Sequence, residues 1–473
     1  MDKIRNSILQ CNVICSELDE QDPRKVVCDE EYTGTCFQID PFFLKKLPFY
    51  KETDKYFLTN FHVCDDANQK NVYLRSALMG KSMFTSKVIA VVPKLDVAVL
   101  AISQEQTHEK WFSDEDPLEV LNSIDTLVLH PKRITNKTRK VYTIGFPHGL
   151  QNQLSSGWLA GRGSDEEDML ELNLSLNSGN SGGPLADNNN NIIGVCCSTL
   201  GCAEAISFAV PSYCIIKYFQ NFYSDPYGTF PHFGIKTIPM TPAYRKKFKI
   251  NGIGPVVHTV HPLSIYHGKI KPGDVIHSIN GRKLDTFGLM KDETRGCKIT
   301  IDTTEFILGL EKCDIAVSTK AKKRIVKQMP KPLPLKVKEH FKEWCPLKVL
   351  EFGPFVFTNL SRTSLAEDTS IPTDKRLRLV ETVRRTHSTE EIVIITKIDP
   401  NSYVASFENP EEYDQVLSVN RTAIKSMANM KKAIEDIHRM RENGEKYFNI
   451  KTSSGNMWFT IDKVLTKKRK RIR

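Results

Sequence analysis

The sequence has no apolar stretch approaching the ~18 residues that a membrane-crossing helix requires, so no transmembrane helix and no membrane partner are expected. Its first residues, Met1-Asp-Lys-Ile-Arg-Asn-Ser7, lack the apolar run of a secretory signal. None of the 12 cysteines falls in a Cys-x-x-Cys pair, which removes the commonest structural-metal spacing. No segment interleaves aromatic residues with a basic face. Nucleic acid is therefore not expected as a partner, despite a net charge of +10. These absences together predict an intracellular protein, cytoplasmic or nuclear, with reduced thiols. The basic run Lys467–Arg473 is read as a solvated tail or a nuclear-import signal.

What is present is enough chain for about three domains at ~150 residues each, with 473 residues, 40% hydrophobic and 26% charged. In the first 225 residues short apolar runs recur between Gly, Pro, Asn and Asp: Tyr56–Leu58, Lys87–Pro93, Val97–Ile102, Thr126–Leu129, Val141–Gly145, Met169–Leu176, Ile192–Cys197 and Ala205–Val210. That texture predicts a β-barrel or sandwich. From about residue 230 it changes. Asp274-Val-Ile-His-Ser-Ile-Asn280 is echoed by Asp414-Gln-Val-Leu-Ser-Val-Asn420, and Val260-His-Pro262 by Ile398-Asp-Pro400, in the same order. Two matched blocks predict two copies of one module. Met427, Met430, Ile434 and Ile437 keep helical spacing and mark a core-facing helix. Lys320–Pro334, basic and proline-rich, reads as an exposed linker.

The segment with most chemical content is Gly179-Asn-Ser-Gly-Gly-Pro-Leu185. A serine attacks a carbonyl only when a base takes its proton and its Oγ is exposed on a turn. The flanking glycines permit such a turn, and Gly179, Asn180 and Ser181 form the candidate oxyanion hole, with the amides of Gly179 and Ser181 as donors. His62, at the end of the apolar Phe57-Leu-Thr-Asn-Phe-His, is the candidate base. Asp96, opening Asp96-Val-Ala-Val-Leu100, is the carboxylate that orients it, with Asp65 and Asp66 as competitors. By resemblance to chymotrypsin-like proteases, in which the residue six before the nucleophile sets the base of the primary pocket, that base is Ser175, followed by Leu176. With Cys197 and Ser198 it outlines a substrate pocket without charge, suited to small or medium apolar side chains.

Thr59-Asn-Phe-His-Val63, Asp96–Leu100, Ile144-Gly-Phe-Pro-His-Gly149, Ser156-Gly157, Gly179–Pro184 and Phe208-Ala-Val-Pro-Ser212 follow the order of the HtrA/Deg serine proteases, which the chain resembles over roughly residues 30 to 220. The resemblance implies a mainly β chain: a chymotrypsin-like double β-barrel protease domain followed by two PDZ-like α+β domains, as in plant-type Deg proteins. The implied boundaries are an N-terminal segment 1–24, protease 25–225, PDZ-like domain 228–325, linker 326–340, second PDZ-like domain 341–465 and tail 466–473. The resemblance also implies ATP-independent cleavage of unfolded or damaged proteins without a cofactor, and assembly as trimers or multiples of trimers. Ile253, Gly254, Pro255 and Val256 resemble a loop that binds a peptide carboxylate. The alternative is a weakly active scaffold that binds through its PDZ domains. Departures from the family pattern are Phe61, Cys36, Cys64, Ser207 and an inserted apolar loop, Pro41 to Lys55, expected to cover the site or mediate assembly.

Overall fold

In a computed structural model of the chain, the described residues are 1–18, 26–65, 67, 70–76, 82–103, 116–134, 138–147, 152–162, 169–199, 206–221, 223, 229–250, 252–292, 297–300, 312–319, 322–339, 346–407 and 410–465. They form two compact units: Met1–Cys15 with Glu30–Leu333, and Ser16–Asp29 with Pro334–Arg473.

Strands β1 (Ile8–Leu18), β2 (Val26–Gln38), β3 (Lys55–Thr59), β4 (Asn71–Arg75), β5 (Phe84–Val92) and β6 (Val97–Ile102) close into a barrel in the order β1-β2-β3-β6-β5-β4. The apolar run Val-Ala-Val-Leu-Ala-Ile, with β-branched Val97, Val99 and Ile102, makes β6, buried along its whole length. Its alternate residues Val97, Val99 and Ala101 enter a large apolar cluster with Phe37, Leu58, Ile144 and Val195. A second barrel closes from β7 (Arg139–Gly145), β8 (Gln153–Arg162), β9 (Leu170–Asn173), β10 (Pro184–Asp187), β11 (Ile192–Thr199) and β12 (Ile206–Pro211), in the order β10-β11-β12-β9-β8-β7. Val141, Leu159, Leu172, Leu185 and Ile193 fill it. Asp187 to Asn191 is the expected turn. The Asp187 carboxylate accepts from the Asn189 and Asn191 amides and caps the β10–β11 connection. Thr126–Leu129, expected as a strand, contributes only two isolated bridges, Leu127 to Ile39 and Leu129 to Ile192.

The expected N-terminal segment 1–24 is not separate from the barrel, because β1 closes it. Its residues Ile8–Leu18 interleave Gln10, Asn12, Ser16 and Glu17 with apolar ones, so no continuous apolar run marks the strand. The loop Pro41–Lys55 does not cover the site. It buries Phe43 and Leu44, and Phe43 and Phe49 pack on Phe219 and Tyr223 at the helix Ser212–Asn221.

The next sheet has β13 (Ile235–Ile238), β14 (Val256–Val260), β15 (Val275–Ile279), β16 (Arg282–Lys283), β19 (Cys313–Thr319) and β20 (Lys322–Gln328) in the path β13-β14-β15-β19-β20, with β16 on β15. Strands β17 (Met290–Asp292) and β18 (Cys297–Ile299) form a separate pair. The basic segment expected as a linker is therefore a strand over Lys322–Gln328. It is an edge strand with its lysines outward and only Val326 buried, so its composition masks its structure.

In the second unit β21 (Val349–Phe352), β22 (Phe355–Asn359) and β23 (Val393–Ile398) form one sheet, and β24 (Val416–Val419), β25 (Thr422–Ala423), β26 (Tyr447–Thr452) and β27 (Asn456–Thr460) another, ordered β25-β24-β26-β27. The helix Met427–Glu442 buries Met427, Met430 and Ile437 as its spacing predicts, and Ser426 caps it by accepting from the Asn429 amide.

The weak sequence echo is a structural repeat. The Val257 amide donates to the Asp274 carbonyl and the Val257 carbonyl accepts from the Gly273 amide; Ile395 does the same with Asp414 and Tyr413. Asn280 and Asn420 both adopt positive φ, and each side-chain oxygen accepts the amide of a residue on the neighbouring strand, Asp314 and Asn449. Asp274 and Asp414 are both fully buried, paired with Arg324 and Lys375 respectively. The two cations come from different elements, β20 and the helix Thr373–Thr386, so no sequence echo announces them.

Candidate active site

Register brings the candidate triad residues to the ends of strands. Thr59 at the end of β3 opposes Ala98 on β6. Three residues on from Thr59 and two before Ala98, His62 and Asp96 meet. His62 Nδ1 lies 2.7 Å from Asp96 Oδ2, and the His62 amide donates to Asp96 Oδ1 at 2.9 Å. One carboxylate thus holds both ring and backbone of the same residue. Asp96 sits at positive φ (51°) after the 3-10 turn Pro93–Leu95, and Asn60 Nδ2 donates to its carbonyl at 2.9 Å. Of the competing carboxylates, Asp65 acts on the His62 ring only through its charge, and Asp66 lies outside the described residues.

The His62 ring is 46% exposed. Partial desolvation opposes its charge, but the hydrogen bond to Asp96, the Asp96 charge and the Asp65 charge outweigh it. The pKa is raised above the ordinary histidine value.

Ser181 stands on the turn before β10. The Leu185–Thr143 pairing with β7 brings that turn beside Gly145. Gly179 and Gly182 both need positive φ, 97° and 87°. A Cβ on Gly179 would lie 2.3 Å from the Phe146 carbonyl, so this turn closes only with glycine there. Ser181 Oγ donates to the Cys197 carbonyl at 2.9 Å rather than to His62. Base and orienter are therefore joined, while the hydroxyl points to β11. The Asn180 amide is spent on the Asn177 carbonyl, which removes it as an oxyanion donor; its side chain is buried without a protein partner for either amide atom. The amides of Gly179 and Ser181 have no acceptor among the described residues.

The expected pocket residues divide. Ser175 is exposed. Leu176 and Cys197 are 7% and 3% exposed and belong to packed apolar clusters, so neither presents a free wall. The Ser198 side chain lies outside the described residues. The neighbouring thiol of Cys196 is pushed up to about 12 by burial and adds no negative charge.

The loop expected to bind a carboxylate is misplaced. Ile253–Val256 leads into β14, whose two sides are taken by β13 and β15. The Ile253 carbonyl is held by His277 Nδ1 at 2.8 Å, and the Pro255 carbonyl by the Ile276 amide. A peptide adding as a strand requires an open edge; the path of this sheet ends at β13 and β20, and β14 is neither. In the second unit the corresponding strand β22 lies between β21 and β23.

Residues that the sequence reading missed are Thr35, Thr59 and Asn60. All are fully buried and hydrogen-bonded around the site. Thr59 and Asn60, polar at the end of the apolar run Tyr56–Leu58, were the available signal; Thr35, in the mixed Thr33-Gly-Thr-Cys36, gave none.

Comparison with known proteins agrees with this architecture. The family described as "Trypsin-like peptidase domain" matches residues 34–195, and "PDZ domain" matches 337–472. A "Probable periplasmic serine endoprotease DegP-like" of Chlamydia trachomatis is 26% identical over 255 residues, 52% of this chain and 47% of that protein. "Protease Do-like 1, chloroplastic" of Arabidopsis thaliana is 26% identical over 297 residues, 58% of this chain and 63% of that protein. The chain spans about half the length of the first of these and somewhat more of the second. Among solved structures, "HtrA-type protease AlgW with tripeptide" aligns at TM-score 0.47 and 18% identity, covering 70% of this chain and 96% of that one. The expected cytoplasmic or nuclear location is overturned, because relatives whose names state a compartment are periplasmic, chloroplastic or mitochondrial. Absence of an apolar leader was too weak a signal to assign a compartment. A trypsin-like peptidase match over the double barrel, a PDZ match toward the C-terminus and DegP-like relatives support an HtrA/Deg family serine protease.

Proposed function

We propose that the chain is a serine endopeptidase that cleaves unfolded or damaged proteins without ATP, through an acyl-enzyme on Ser181. The observation that carries this reading is the double contact of Asp96 with His62, at 2.7 and 2.9 Å, beside a glycine-bounded serine turn. Asp96 keeps the ring proton on Nδ1, leaving Nε2 to accept. After the hydroxyl turns from Cys197 toward His62, Nε2 takes the Ser181 proton as Oγ bonds to the substrate carbonyl carbon. The Gly179 and Ser181 amides bind the oxyanion. His62 then gives the proton to the leaving amine, and water attacks the acyl-enzyme by the same route in reverse.

Ser175 and the protonated Cys196 supply no charge to pair with a buried Lys or Arg, which supports cleavage after small or medium apolar residues. The edge strands β13 and β20 support peptide docking on the first PDZ-like module. Family likeness supports assembly as a trimer or a multiple of trimers, and a monomer in sedimentation would remove that part.

Digestion of unfolded casein with and without a fluorophosphonate, alongside Ser181→Ala, tests the reading. Loss of cleavage in both arms is expected. Undiminished cleavage by Ser181→Ala would overturn it.

A further inference from the structure

We propose that Thr35 is a positioning residue that sets the serine turn of one barrel against the histidine-bearing strand of the other. This inference rests on the peptidase reading above. Thr35 lies on β2, fully buried, and all three of its polar groups are engaged. Its amide donates to the Ser181 carbonyl at 2.8 Å. Its hydroxyl donates to the Gly179 carbonyl at 2.6 Å and accepts from the Phe146 amide at 3.2 Å. Its own carbonyl accepts from Thr59 Oγ1 at 2.9 Å, and Thr59 closes the strand that leads to His62.

The two bonds to residues 179 and 181 straddle Asn180. A carbonyl held inward fixes the plane of the peptide that contains it. Thr35 therefore fixes the Gly179–Asn180 and Ser181–Gly182 peptide planes, and with them the attitude of the turn that carries the nucleophile and the two free amides. Close approach is part of the device. A Cβ on Gly182 would stand 2.0 Å from the Thr35 carbonyl and 2.3 Å from Thr59 Oγ1. The hydroxyl is what a valine, of the same shape, would lack. Thr35→Val leaves the Gly179 carbonyl and the Phe146 amide buried without this partner, and frees the turn to tilt.

The experiment compares wild type, Thr35→Val, Thr35→Ser and Ser181→Ala in the full chain, with a small chromogenic peptide substrate and with the rate of fluorophosphonate labelling. Thr35→Val is expected to lower both kcat and the labelling rate by roughly ten- to a hundredfold, the size expected for one buried orienting hydrogen bond. KM is expected to change less than about threefold, because Thr35 does not touch substrate. Thr35→Ser, which restores the hydroxyl, is expected to recover kcat to within about threefold. A folded Thr35→Val with wild-type kcat would overturn the proposal, and so would equal impairment of the valine and serine variants, which would indicate packing alone. If Thr35→Val does not fold, Thr59→Val reads the same link one bond further out: a lowered kcat at unchanged KM supports it, and an unchanged kcat overturns it. Activity retained by Ser181→Ala would instead remove the peptidase reading, which separates the two failures.

Discussion

Asp96→Asn is the perturbation whose outcome the geometry constrains most tightly. Asp96 presents one oxygen to the His62 amide, at 2.9 Å, and the other to Nδ1, at 2.7 Å. The amide is always a donor, so the asparagine oxygen must face it; the opposite flip sets donor against donor. The asparagine NH₂ is then left facing Nδ1, which must become an acceptor. The ring proton moves to Nε2, the atom that has to take the Ser181 proton. The backbone contact and the Asn60 bond to the residue 96 carbonyl survive, so the loop keeps its shape and the defect is one of tautomer. Loss of kcat on the order of 10³- to 10⁴-fold is expected, or roughly 4 to 5.5 kcal/mol in barrier. Initial rates on a chromogenic peptide, with melting curves to confirm an intact fold, measure it. A loss below tenfold would refute the argument and move the orienting role to another carboxylate.

Further outcomes follow from this and other contacts. Because Asp96 raises the His62 pKa, the acid limb of kcat/KM is expected above the ordinary histidine midpoint of about 6.5, and to move down in Asp96→Asn; a wild-type midpoint below 6 in a pH–rate profile counts against this. The raised pKa also means that protonated His62 stabilises the fold fully below about 6.5 and loses that contribution as pH rises through the folded value. In the second unit, Lys375→Met strips the fully buried Asp414 of its cation and is expected to cost about 3 to 5 kcal/mol in urea unfolding. The Asp414 pKa is lowered because, although burial opposes its charge, the hydrogen bonds from Lys375 and Ser454 outweigh it; this stabilisation is present above the ordinary carboxylate pKa and is lost as pH falls through the folded value, and a flat acid profile would contradict it. Gly182→Ala is expected to lose both activity and stability, since its Cβ would meet the Thr35 carbonyl at 2.0 Å and its φ is 87°; a wild-type denaturation midpoint would show that the turn relaxes at little cost.

The sequence by itself determined the β-rich first half, the repeat in the second and the helix Met427–Glu442, and it brought forward His62, Asp96 and Ser181 as candidates. Each rests on a local signal: alternating apolar runs, a spacing of three and four, or a glycine-bounded serine. It did not reveal β1, whose apolar residues are interleaved with Gln10, Asn12, Ser16 and Glu17, or β20, where outward lysines on an edge strand resemble a linker. Nor did it show which side of a strand is free. The Gly-Pro pairs at 254 and 353 both lead into strands paired on both sides, β14 and β22, so neither opens onto a free edge. Only the tertiary structure placed Leu176 and Cys197 in packed clusters, joined Asp274 and Asp414 to cations from unlike elements, and directed the Ser181 hydroxyl to Cys197. The physical reason is range. Turn chemistry and strand pattern act over a few residues and are written where they act. Edge occupancy, ion pairing in a core and the attitude of a hydroxyl depend on what strands distant in sequence bring beside them. Thr35 meets Gly179 across 144 residues of chain.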